Sequence, residues 1–71
     1  MDTETEQNLI EKYQQASDEM LRSLKNDKLE KSEKDEWFGY IRGVRDCAYD
    51  AGILSKTTIQ ENLIEARDII N

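Results

Sequence analysis

The sequence predicts an all-α fold of three helices, and three observations carry that expectation. There is no proline, all three glycines fall between positions 39 and 52, and apolar residues recur every three or four positions. Little of the chain shows the alternation expected of strands. The helices are expected at about 4–25, 32–52 and 55–70. They form a small helical bundle, or an open three-helix unit completed by oligomerisation, within a single domain spanning 1–71.

The first helix is marked by Thr3 followed by Glu6, a capping-box pattern that leaves residues 1–3 to fray. Leu9, Ile10, Tyr13, Ala16, Met20, Leu21 and Leu24 repeat at helical spacing and give it one apolar stripe. Glu11, Asp18 and Arg22 occupy the opposite face, with Asp18 and Arg22 spaced as an i,i+4 pair. Asn26 is the expected stop. The charged connector Asp27 to Lys31 follows, with Leu29 folded back toward the core.

Ser32 is the expected cap of the second helix, since Glu33, Asp35 and Glu36 then sit at its positive end. Trp37, Tyr40, Ile41, Val44, Cys47, Ala48 and Ala51 supply its apolar stripe. Gly52 stands where a left-handed residue is wanted, and Ile53 is placed for the hydrophobic contact that accompanies such a cap. The third helix begins after Leu54, with Ser55 as the preferred cap and Thr57 or Thr58 as alternatives. Ile59, Leu63, Ala66 and Ile70 form its buried stripe. Links this short suit helices packed against one another.

Within the second helix, Gly39, Gly43, Cys47 and Ala51 recur every fourth residue. Each interior glycine costs about 1 kcal/mol relative to alanine, a cost that close approach of another helix would offset through dispersion contacts. That helix comes either from the same chain or from a partner. On the other flank, Phe38, Arg42, Arg45 and Tyr49 form an aromatic and basic stripe. It is the most conspicuous candidate partner-binding surface, because Arg and Tyr bury much area and still hydrogen-bond. Alternatively, Phe38 and Tyr49 finish the core while the arginines pair with Asp46 and Asp50. Ile64 and Ile69 fall off the main stripe of the third helix, one on each side. Their burial calls for an additional chain.

Size points the same way. A chain of 71 residues buries only about 60% of the surface its unfolded form exposes. Small domains often compensate with disulfides, a metal or a partner. Cys47 is alone and there is no histidine, so self-association, expected as a homodimer, or binding to another protein remains. The single thiol fits a reducing, cytoplasmic setting. The polar, acidic opening Met1 to Gln7 does not read as a signal peptide, and no apolar run approaches the roughly 20 residues of a membrane span.

The net charge is −6. Residues 1–36 hold eleven acids and six bases, whereas residues 37–71 hold five and four. An acidic N-terminal half repels phosphate. It suits a solvated surface, a basic partner, or mimicry of a nucleic-acid backbone.

Catalysis lacks its usual groups. Without histidine the commonest general base and metal ligand is missing, and Cys47 has no imidazole to activate it and lies in an apolar stripe. The Gly39–Gly43 pair lacks the Lys-Ser/Thr of a phosphate loop, no twelve-residue calcium loop is present, and no cofactor or metal is expected. Ala48 to Leu63 resembles a helix-turn-helix: Ala48 and Gly52 are four apart, Ile53 follows, and a Ser/Thr-rich helix start comes next. The apolar residue that motif places early in its second helix falls one position late, at Ile59. The helix then offers Lys56, Thr57 and Gln60 but also Glu61, Glu65 and Asp68, which makes direct nucleic-acid binding the weaker expectation.

The function expected is therefore non-enzymatic: a small acidic helical module that regulates, inhibits or assembles by docking to another protein. In type it is similar to many regulators encoded by phages and plasmids, an association of class only. The alternatives are a nucleic-acid mimic that occupies a DNA- or RNA-binding protein and a helix-turn-helix regulator.

Overall fold

The computed structural model describes residues 2–71 and has three helices, α1 (Thr3–Leu24), α2 (Lys31–Asp50) and α3 (Ile59–Ile70), with a 3-10 turn at Leu54–Lys56. They form a rod of 42 × 15 × 15 Å. Leu9, Ile10 and Tyr13 near the start of α1 meet Ala48, Ile53 and Ile59. Leu21 and Leu24 near its end meet Ile41, Leu63 and Ala66. The chain therefore runs up, down and up, with α3 parallel to α1 and each helix touching the other two.

The core lies in two stacked clusters. One is built on Leu21, Leu24, Ile41, Leu63 and Ala66, with Trp37 and Phe38 packed against it. The other is built on Ala48, Ile53 and Ile59. Within α1, Ile10, Tyr13, Ser17, Met20 and Leu24 follow a 3-4-3-4 spacing, so Ser17 holds a core position and is fully buried. Its hydroxyl donates to the Gln14 carbonyl (3.1 Å) and accepts from Asn62 Nδ2 (2.9 Å).

Each helix start differs from its preferred sequence expectation. Asp2, not Thr3, caps α1: its Oδ1 accepts from the Thr5 amide at 2.8 Å. Residues 2 and 3 are thus tied to the helix, while Met1 lies outside the described residues. The Thr5 amide holds the Asp2 carboxyl below the usual carboxylate range. The stability this adds is present above the unfolded-state pKa and is lost as pH falls through the lowered value. Glu30, not Ser32, caps α2, and its amide donates to Glu33 Oε1 at 3.3 Å. The α2 exit matches expectation. Gly52 has φ +76°, its amide bonds to the Tyr49 carbonyl, and the Ile53 amide bonds to the Ala48 carbonyl. These two bonds form a Schellman motif, and Ile53 packs on Ala48 inside the core.

The third helix starts three residues later than a Ser55 cap would place it, with Thr58 as its N-cap. Its free amide is met from α1. Gln14 Oε1 accepts from the Thr58 amide (2.7 Å), while Gln14 Nε2 donates to Thr58 Oγ1 (2.7 Å) and Asp18 Oδ1 (2.9 Å). Asp18 also accepts from Asn62 Nδ2 at 2.8 Å. Asp18 is thus engaged with α3, where sequence spacing had paired it with Arg22. Among the described residues no buried side-chain polar atom lacks a partner. Gln14→Ala removes a tertiary cap and is expected to cost about 1 kcal/mol. Urea unfolding of the variant checks this, and an unchanged midpoint would contradict the capping role.

Candidate partner-binding face

Two residues assigned to the α2 apolar stripe face solvent instead. Tyr40 is 53% exposed, with its ring edge-to-face against Trp37 at 5.5 Å, and Cys47 is exposed. Gly39 and Gly43 are also exposed, and a Cβ added at either meets nothing within 4 Å. Gly39, Gly43 and Cys47 thus leave the ridge open to solvent, whereas Ala51 packs against the second cluster, so the within-chain alternative holds only at that end. The cause is geometric. With 3.6 residues per turn, each i,i+4 step advances about 40° around the helix. Four residues at 4-4-4 spacing consequently wind from the solvent side at Gly39 toward the core margin, where Ala51 is half-buried.

The other stripe behaves differently. Phe38, Arg42, Arg45 and Tyr49 are spaced 4-3-4, and an advance of eleven residues is just over three full turns, so the four stay on one face. Phe38 and Arg45 are half-buried, Arg42 is exposed and Tyr49 is 72% exposed. Phe38 also touches the core, as one alternative expected, yet it lines the surface too.

Between α2 and α3 runs an open groove of about 360 Å³. Phe38, Arg42 and Arg45 line one side, and Gln60, Leu63, Ile64 and Arg67 line the other. Gln60 also borders a second hollow, which holds Tyr49, Leu54 and Thr57. The two join into one face along α2 and α3. Arg67 was not singled out by sequence reasoning, and Gln60 only as a residue of the helix-turn-helix resemblance. The available signal was the i, i+3, i+4, i+7 spacing of Gln60, Leu63, Ile64 and Arg67, which puts them on one side of α3.

Ile64 and Ile69 part company. Ile69 is half-buried and packs on the core of its own chain, so its burial needs no additional chain. Ile64 is 45% exposed and stands in the groove.

The groove is basic on an acidic chain. Three of the four arginines line it. Arg45 pairs with Asp46 at 2.9 Å, whereas Arg42 and Arg67 make no ion pair among the described residues. The remaining ion pairs, Lys25 with Glu65 and Lys56 with Glu6, lie away from it. Lys56 is thereby drawn to α1. The residues joining α2 to α3 are eight, including the 3-10 turn, not the three or four of a helix-turn-helix.

Among the described residues, no group of three or more Asp, Glu or Cys is placed to hold a metal. No helix among them is long and apolar enough to cross a membrane. Comparisons with family models, curated proteins and solved structures return no match.

Proposed function

We propose that this chain is a non-enzymatic, cytoplasmic protein-binding module that regulates, inhibits or assembles by docking its α2–α3 face onto another protein. The observation that carries this is the convergence of Phe38, Arg42 and Arg45 with Ile64 and Arg67 around one open groove. Aromatic, aliphatic and arginine side chains together make the composition of an interface centre, where area and hydrogen bonds concentrate. Two of the arginines are free to bond outward.

Arg42→Glu with Arg45→Glu tests this. Arg42 is exposed and Arg45 pairs with its exposed neighbour Asp46, so the helical circular dichroism is expected to stay unchanged. Affinity capture from the native host is expected to lose a stoichiometric partner that the unaltered chain retains. Capture of the same partner by both, or of none by the unaltered chain, would defeat the proposal.

A second reading has one observation in its favour. Glu19, Glu33, Asp35 and Glu36 are exposed and make no ion pair among the described residues, as a nucleic-acid mimic needs. Neutralising these four tests it, and such binding would be strongly salt-dependent. Asp18 is left out of that set because it holds Asn62 and Gln14, and Glu33 is neutralised as Glu33→Gln so that it still accepts from the Glu30 amide.

Self-association as a homodimer falls to the open ridge of Gly39, Gly43 and Cys47. Gly43→Leu should remain folded, since a Cβ there meets nothing. A light-scattering mass that drops from two chains to one would assign the ridge to the dimer, and an unchanged mass would remove it.

A further inference from the structure

We infer that the α2–α3 groove receives one amphipathic, acidic helix of the partner, a conclusion that rests on the docking role proposed above. The walls of the groove are two antiparallel helices, the geometry of the helix-in-groove mode of recognition. Its lining combines apolar Phe38, Leu63 and Ile64 with Arg42, Arg45 and Arg67. A complementary helix therefore presents apolar residues at i, i+3 or i+4, and i+7, flanked by carboxylates. Phe38 to Tyr49 spans about 16 Å at 1.5 Å per residue, so about three turns of the incoming helix fill the face.

Charge complementarity selects this occupant. The chain as a whole carries −6, and a basic groove on such a surface favours discrete anionic groups. A duplex nucleic acid brings one charge per about 1.7 Å, and most of that charge would face the acidic remainder of the molecule. Three arginines without a lysine or a second basic patch alongside do not offset that repulsion. A second copy of the chain fits no better. The apolar stripe of its acidic first helix is already spent on its own core through Leu9, Ile10, Tyr13, Leu21 and Leu24.

The test uses the full chain and four labelled probes read by fluorescence anisotropy at low salt. They are a three-turn amphipathic peptide with Leu on one face and Glu on its flanks, the same peptide with Lys for Glu, a scrambled Glu peptide without an apolar face, and a short DNA duplex. The Glu amphipathic peptide is expected to bind at least about tenfold more tightly than the other three: the Lys peptide sets like charges opposite the arginines, the scrambled peptide has no apolar face to bury, and the duplex brings its charge against the acidic remainder of the molecule. Arg67→Glu is expected to remove that preference, and Ile64→Glu to weaken binding of the Glu peptide while leaving the helical circular dichroism unchanged. Equal binding of the Lys or scrambled peptide, tighter binding of the duplex, or no binding of the Glu peptide would each overturn the inference. The docking role fails separately, in the capture experiment: a native partner lost on Arg42→Glu with Arg45→Glu keeps that role standing even if the Glu peptide shows no preference.

Discussion

Ile41→Ala is expected to lower the melting temperature by about 10 °C or more. Ile41 is fully buried and belongs to the cluster in which all three helices meet. Removing three carbons there costs about 2–5 kcal/mol, the transfer term plus a cavity that relaxes only in part. Domains near this length have about 3–5 kcal/mol available, and each kcal/mol shifts the midpoint by about 4–8 °C. The contrast is Ile64→Ala, where the side chain is 45% exposed and the expected change lies within about 0.5 kcal/mol. Thermal circular dichroism of the two variants separates them. Equal midpoints would contradict the assignment of Ile41 to the core and Ile64 to the surface.

Gly39→Ala with Gly43→Ala is expected to move stability the other way. Both positions are helical, neither has a positive φ, and an added methyl meets nothing within 4 Å. Alanine narrows the unfolded chain's conformational freedom by about 0.4–1 kcal/mol at each compatible site. Together the two changes should add about 1–2 kcal/mol and raise the midpoint by roughly 5–10 °C. A fall in stability would mean that something packs closely on these glycines in the folded protein. Light scattering on the same samples tells whether that neighbour is a second copy.

The glycines also mark where sequence reading stops. Helix number, order and the exit of α2 at Gly52 were legible, because apolar spacing and a left-handed residue each leave a local signature. The caps at Asp2 and Glu30 were misplaced by one or two residues, since several polar residues compete at each start. The late start of α3 was legible only as one of three competing caps, Ser55, Thr57 and Thr58. Its cap comes from Gln14, 44 residues away, and no local pattern announces a tertiary cap.

The two stripes on α2 differ in the same instructive way. Spacing of 4-4-4 drifts around a helix, so Gly39, Gly43 and Cys47 face solvent and Ala51 meets the core margin, whereas 4-3-4 keeps Phe38, Arg42, Arg45 and Tyr49 aligned. The candidate face was thus half legible. Its α2 side followed from spacing, while Gln60 and Arg67 became part of it only once α3 was seen beside α2. Ser17 was missed because a polar residue in a heptad core position looks like a break in the stripe, until Asn62 is seen to bond its hydroxyl.

The most direct test of the docking face is a backbone-amide NMR map of the isotope-labelled chain titrated with the partner it retains. Shifts are expected to concentrate at Phe38, Arg42, Arg45 and Tyr49 on α2 and at Gln60, Ile64 and Arg67 on α3, with the exposed acids of α1 unmoved. Shifts concentrated on Glu4, Glu11 and Glu19, or on Gly39, Gly43 and Cys47, with the α2–α3 groove unperturbed, would contradict it.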